Sequence, residues 1–579
     1  MAIETSIIRI TATAAFVALL ASSTVLPAHA ADDGKADVVF KNGKIYTVDA
    51  ARSVQQALAV TGNAISAVGS DADVAPLIGP ATKVIDLGGK FVLPGMIDAH
   101  SHPIIGAVNA SKCSLADVQP TIEAIRPVIR KCLEDRPAKG DGWLEVVQLY
   151  NYGFEATAKD FDTIEADRPL AVGGNDGHTL WTNTRALELS GVTAATEDPP
   201  GGAITRDASG NPTGAFADTA TLLVLKHVPQ PSAAEAAAFT EKALADMAAN
   251  GLTGVADAYI TPVEAAVWGE LYRSGRLPLR VRGAILMENL EDSSDGAIAD
   301  IVAASEAGTV DPDWLRMDSV KIFADGVIEA PTQTAALLSP YLDENGKPTD
   351  DTGELYFEQD AIDAIVTKLD KAGLTVHVHA IGDRAVRASL DAFEAARKAN
   401  GATDNRHQIA HLQLVDPADF PRFAELGVIA NFQLDWAKRD ASNVGPIEPY
   451  LGPERYRWLY PAGSLKRAGA TIAGGSDWDV SSYDPFHAME HGITRVERGS
   501  GLPPLGEGEG LTIGDVIDAY TINAAFASRQ EATTGSLEVG KRADLVIVDR
   551  DITAIDPATI DDTEVLATWI DGKLVYERK

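Results

Sequence analysis

The stretch GMIDAHSHP, Gly95 to Pro103, sets His100 and His102 one residue apart in a chain that has only 11 histidines. The apolar residues before them read as a buried strand, and on a strand residues i and i+2 share a face. Two imidazoles side by side at a strand end can grip one cation. An isolated His-x-His is just as readily a packed or surface pair, so other strand ends must carry the argument. They do. LTVHVHAIGD places His377 and His379 on one face, with Asp383 opening a helix. RHQIAHLQLV closes on His411, and ATIAGGSDWDV puts Asp477 after a run of small residues. SVKIFADG sets Lys321 inside an apolar run, where an unpaired ammonium is costly to bury. Metal-competent side chains recur at the ends of separate apolar runs, and this recurrence predicts a metal centre.

The elements that must hold these residues follow from periodicity. Strands are expected near 96–100, 252–257, 279–286, 318–324, 374–380, 407–411, 427–431 and 470–475. Helices are expected at 232–250, 261–274, 292–307, 358–372, 383–399, 416–426 and 462–469. Eight strands with intervening helices predict an α/β fold, a (β/α)8 TIM barrel, whose active sites form at the C-terminal strand ends. About 150 residues separate the first two strands, far beyond an ordinary crossover. The barrel is therefore expected over 94–533, with a large insertion after its first strand, at about 104–232, lying over the mouth. Residues 31–93 and 534–579 are rich in strand signals. Hairpin turns are expected at Asn42-Gly43, Gly62-Asn63 and Asp571-Gly572. The economical arrangement is one small β-sandwich domain built from both termini. PPGGAITRDASGNPTG lacks phosphate-loop spacing and reads as two β-turns within the insertion.

Whole-chain totals narrow the function. The 579 residues carry 49 Lys plus Arg against 83 Asp plus Glu, a net charge of −34. No basic cluster is present, and so acidic a surface repels phosphate backbones, so a nucleic-acid role is excluded. Residues 1–30 read as a signal peptide, with Arg9, an apolar run and the small-x-small ending Ala28-His29-Ala30. No later segment has the ~20 apolar residues that span a bilayer. The expectation is an exported, periplasmic protein with no membrane role after cleavage. Its partner would be a small-molecule substrate; association into homo-oligomers stays open. Cys113 and Cys132 are the only cysteines. Bridging needs the segment between them to fold back, because a straight helix rises 1.5 Å per residue and would hold the sulfurs apart.

The chain resembles the metal-dependent amidohydrolase superfamily, in the branch that includes N-substituted formamide deformylases. The resemblance rests on GKFVLPGMIDAHSHP, NDGHTLWTNTRALELSGV, PPGGAITRDASGNPTG, VKIFADG, VHVHAIGDRAV, AHLQLV, GGSDWDVSSYDPF and TGSLEVGKRADLVIVDRD. It implies that His100 and His102 bind the more buried metal and that His379 and His411 bind a second. It implies that Lys321 is carboxylated and bridges the two, turning a repelling ammonium into an anionic carbamate. A plain Lys321 paired with Asp325 beside a single metal is the alternative. Asp477 would contact a metal and the attacking water. His377 would support or pack, since the fifth strand supplies one ligand in relatives. One or two divalent ions are implied; His-rich ligation suits Zn²⁺, with Mn²⁺, Fe²⁺ and Co²⁺ open. His178 would meet the substrate or its oxyanion from the insertion, with Trp181 as a wall; a purely structural histidine is the rival reading. Trp143, Tyr150 and Tyr152 are further candidate walls. His487 and His491 lie four apart on a helix after the eighth strand and read as a surface or packed pair.

This constellation predicts an exported hydrolase of a non-peptide carbon–nitrogen bond, of amide or N-formyl type. A metal lowers the pKa of bound water toward about 7, and the resulting hydroxide attacks the carbonyl. Asp477 would take the water proton and pass it to the leaving nitrogen. The rivals are an ester, lactone or carbamate hydrolase using the same centre, and a solute-binding protein without turnover.

Overall fold

The computed structural model describes residues 34–579 except 117, 138–141 and 200. The expected signal segment therefore lies outside the described residues. Eight parallel strands in consecutive order form the central sheet. They are Met96–Ser101, Leu252–Ile260, Arg280–Leu286, Leu315–Phe323, Thr375–Ala380, Gln408–His411, Ile429–Phe432 and Thr471–Gly474. The first and eighth meet at their C-terminal ends, where Asp477 N–H donates to His100 O at 2.7 Å and His102 N–H to Trp478 O at 2.9 Å. The strands are almost wholly buried because helices cover the sheet, which is why they read as apolar runs without alternation.

Local chemistry sets the helix starts. Ser232 and Glu235 form a capping box at Ala233–Ala249, and Thr261 and Glu264 another at Pro262–Arg273, with Pro262 in the first turn. Helices Gln359–Lys371 and Asp383–Asn400 bury one apolar stripe each, including Ile362, Ile365, Leu369, Val386, Leu390 and Phe393. Full burial of such a side chain is worth about 1.5–3 kcal/mol, so this shell supplies much of the barrel's stability.

Both termini contribute to a β-sandwich. One sheet holds Val38–Lys41, Ala57–Thr61, Ala64–Gly69 and Lys83–Asp86; the other combines Lys44–Tyr46, Val54–Gln55 and Phe91–Pro94 with Leu545–Val548, Val565–Ile570 and Lys573–Glu577. Phe40 meets Trp569 edge-on at 5.1 Å between them. The turns at Gly62-Asn63 and Asp571-Gly572 join paired strands. Asn42-Gly43 does not: the strands on either side of it enter different sheets. There a turn sequence serves a crossing between layers, because Phe40 and Ile45 fill one inter-sheet core. The sandwich is fastened to the barrel by buried Arg280, whose guanidinium bonds Asp544 at 2.9 and 3.2 Å and Asp571 at 2.6 Å. At the junction Gly95 has no room for a side chain; a Cβ would lie 2.3 Å from Thr253 Oγ1.

The insertion forms a six-stranded sheet over the mouth, from Cys113–Ser114 at one edge to the hairpin Gly202–Arg206 and Pro212–Asp218 at the other. Cys113 and Cys132 are bridged, with Cα atoms 5.9 Å apart. The fold-back is local: the helix carrying Cys132 begins only at Ile122, and the preceding residues return the chain. Gln148 and Asn109 anchor this layer to the loop after the eighth strand, through Asp479 O at 2.9 Å and Asp479 Oδ2 at 3.0 Å.

Candidate metal centre and active site

Asp98, His100 and His102 follow one another at alternate positions of the first barrel strand and its exit, and the interior receives all three. Asp98 accepts N–H bonds from His100 at 3.1 Å and Ser476 at 3.0 Å and the Ser476 hydroxyl at 2.5 Å. It thereby fixes the first strand end against the loop after the eighth. Gly475 permits that contact, since a Cβ there would lie 2.6 Å from His100 N. The loop then delivers Asp477, whose φ of 55° is tolerated best by Asn, Asp and Gly.

Asp477 Oδ1 lies 2.9 Å from His102 Nε2 and 3.3 Å from His100 Nε2. Neither contact has hydrogen-bond geometry, and Asp477 Oδ1 and His102 Nδ1 are buried atoms without a partner. Orphaned buried donors and acceptors are expensive. Three converging ligand atoms that fail to satisfy one another fit a divalent cation. For tetrahedral zinc, with ligands at about 2.0–2.1 Å, neighbouring donors sit roughly 3.3 Å apart. Burial and the nearby Lys321 push the His100 imidazole down to about 3, so it is neutral and able to ligate. Burial would raise the Asp477 carboxyl, but His100 and His102 outweigh it and hold the group well below the usual range.

Ring contacts extend this trio across the barrel. His100 meets His411 at 4.8 Å, and His411 meets His379 at 4.5 Å. His411 Nδ1 faces Gln433 Oε1 at 2.8 Å, leaving Nε2 for a ligand. His379 Nε2 donates to Gly326 O at 3.0 Å, leaving Nδ1. Lys321 is 1% exposed; its Nζ lies 3.5 Å from His100 Nε2 and 4.7 Å from the Phe323 ring centroid. Burial pushes its amine down to about 8. Asp325 is not its partner: that carboxylate accepts the N–H groups of Ala336, Ile381 and Gly382 at 2.8–2.9 Å. His377 Nε2 stands 2.7 Å from His100 Nδ1, behind the ligand rather than in the centre.

The insertion brings His178 to the site. Its ring lies 5.8 Å from that of His379, and its Nδ1 is 2.6 Å from Asp218 Oδ1. Asp218 N–H also donates to His178 O at 2.7 Å, so backbone and side chain tie the two residues together. Burial alone would lower the His178 imidazole; Asp218 outweighs it and holds the group above the ordinary histidine value. Trp181 is not a wall of the site. It is buried in the insertion core, edge-on to Phe154 at 5.3 Å, because strand alternation sends it to one face of the sheet and Leu180 to the other. Trp143 is buried in the second of those cores. Aromatic residues that do approach the ligands include Phe323, 5.1 Å from His379, Tyr259, 6.3 Å from His102, and Trp436, stacked on His411 at 5.6 Å.

Asp98, Asp218, Gln433 and Trp436 are absent from the sequence reading. Asp98 had a signal, its i−2 position on the strand face of His100. Asp218 and Gln433 had none, since each meets its histidine through tertiary contact alone. His407 is structural: it bonds Asp370 at 3.0 Å and stacks on Phe393.

A parallel eight-stranded barrel with imidazoles and a carboxylate converging at its C-terminal mouth defines a metal-dependent hydrolase. The chain belongs to the Amidohydrolase family, whose model matches residues 83–576. It is an enzyme of the metal-dependent amidohydrolase class. It is 29% identical to an N-substituted formamide deformylase of Arthrobacter pascens, over 94% of this chain and 98% of that one. It is 30% identical to the protein LONG AFTER FAR-RED 3 of Arabidopsis thaliana, covering 93% and 92%. The fold is shared with an uncharacterized metal-dependent hydrolase of Pyrococcus horikoshii, at a TM-score of 0.70 and 22% identity, covering 90% and 99%. No helix among the described residues is long and apolar enough to cross a membrane.

Proposed function

We propose that this enzyme hydrolyses a small non-peptide amide, with an N-formyl amine as the favoured substrate class. The observation that carries the reading is the opposition of two groups at one mouth: ionised Asp477 among the imidazoles, and His178 held by Asp218 in the layer above. His100, His102, His379, His411 and Asp477, with Lys321 if carboxylated, would hold one or two divalent ions, which would supply carbonyl polarisation and a lowered pKa for water. Asp477 takes a proton from the attacking water and returns it to the leaving nitrogen. An amine leaves poorly unless protonated, so this transfer matters more for amides than for esters. His178, whose protonated form Asp218 favours, donates to the carbonyl oxygen as negative charge gathers there. The insertion, anchored at Asp479, keeps bulk water from the reacting atoms.

Likeness to the formamide deformylase favours the N-formyl class. Imidazole-rich ligation favours Zn²⁺. Carboxylation of Lys321 is supported by its burial without an ion pair among the described residues. Export is supported by the Cys113–Cys132 bridge, which persists in oxidising compartments. The test is an assay of N-formyl amines, N-acetyl amines and the matching esters, on chelated and remetallated protein. The expected result is formate release from the N-formyl amines, abolished by chelation and restored by Zn²⁺. Turnover of the esters with every amide untouched overturns the proposal.

A further inference from the structure

A second group of ligand atoms lies outside this site. Helix Pro485–Thr494 carries His487 and His491 one turn apart, with ring centroids 4.4 Å from each other. Asp435, from the turn after the seventh barrel strand, puts Oδ1 3.2 Å from His487 Nε2 and 2.9 Å from His491 Nδ1. These separations approach the donor spacing of roughly 3.3 Å that a tetrahedral zinc ion imposes. Asp435 is 6% exposed and His491 1%. We propose that Asp435, His487 and His491 form a second divalent-cation site, structural in role and independent of the hydrolytic centre.

The outer nitrogens support this. A ligating histidine usually offers its other ring nitrogen to a carboxylate. His487 Nδ1 faces Asp561 Oδ1 at 3.1 Å, and His491 Nε2 faces Glu497 Oε2 at 3.7 Å. Charge supports it too. Three carboxylates, Asp435, Asp561 and Glu497, contact the two imidazoles, and the ammonium of Lys438 lies 2.8 Å from Asp435 and 3.3 Å from Glu497. An arriving ion takes Asp435 from Lys438, whose ammonium keeps Glu497.

The segment HAMEH also has the His-x-x-Glu-His pattern of some zinc peptidases, in which the glutamate is the base. Here both Glu490 oxygens are held by the Arg498 guanidinium, with Nε 3.0 Å from Oε1, so no base faces the ion. Its effect is mechanical. Asp435 adjoins Trp436, the ring stacked on His411, so the ion ties that ring to the helix and, through Asp561, to the turn Pro557–Asp562.

Two measurements test the proposal. Wild-type crystals equilibrated with Zn²⁺ should show an anomalous peak between Asp435, His487 and His491, besides one at His100 and His102. Metal analysis after dialysis in Zn²⁺ buffer should find one equivalent fewer in His487→Ala than in wild type. A peak at the hydrolytic centre alone, or equal metal content in the two proteins, overturns it and leaves a proton-held network.

Discussion

His377 Nε2 lies 2.7 Å from His100 Nδ1, deep in the barrel, where His377 sits opposite Lys321 in the register of the fourth and fifth strands. With His100 ligating through Nε2, its Nδ1–H is donated to His377, which fixes both tautomer and ring angle. His377→Ala should weaken metal affinity about 10–100-fold while leaving the fold intact. Metal titration of chelated protein, with circular dichroism as the control, checks this; unchanged affinity would show that His377 only packs.

Asp477 combines contact to two ligand imidazoles with the proposed proton transfer. Asp477→Asn keeps the shape and removes the charge. Turnover should fall by about 10²–10⁴-fold, the usual reach of general acid–base catalysis. Metal content and kcat are measured together. Near-normal kcat would remove the residue from the proton path.

The His178–Asp218 pair sets an alkaline limit. A cationic His178 assists only below its folded pKa, which Asp218 raises, so activity is lost as pH climbs through that value. Asp218→Asn should lower kcat about 10²-fold and move the alkaline fall to lower pH. A pH profile of kcat tests both. An unmoved alkaline limb would assign that limb to another group.

Lys321 provides a test by chemical rescue. Lys321→Ala should be inactive, and short carboxylic acids should restore part of the rate by filling the place of the carbamate. Full activity without a supplement would rule out an essential carbamate.

The bridge between Cys113 and Cys132 closes a short loop within the insertion. Replacing both by serine should cost about 3 kcal/mol, mainly by enlarging the unfolded ensemble of that layer. Thermal melts of the two proteins under non-reducing conditions measure it, and identical melting curves would contradict the estimate.

Much of this protein was legible in its sequence, for a local reason. Strand alternation has a period of two, so His100 with His102, and His377 with His379, announce a shared face before any fold is known. Apolar runs spaced by helical stripes then imply a barrel whose strand ends carry His411 and Asp477. What a residue meets across the fold has no such signature. Whether Asn42-Gly43 closes a hairpin or crosses between sheets depends on where both flanking strands find partners. Trp181 turns into the insertion core and His178 toward the ligands because of a sheet assembled from distant segments. Asp218 finds His178, Gln433 finds His411, and Asp435 finds His487 and His491 only after loops of different lengths have closed. Sequence alone thus determined which ligand types stand at which strand ends. Tertiary structure decided their supports, because those contacts arise from packing between segments far apart along the chain.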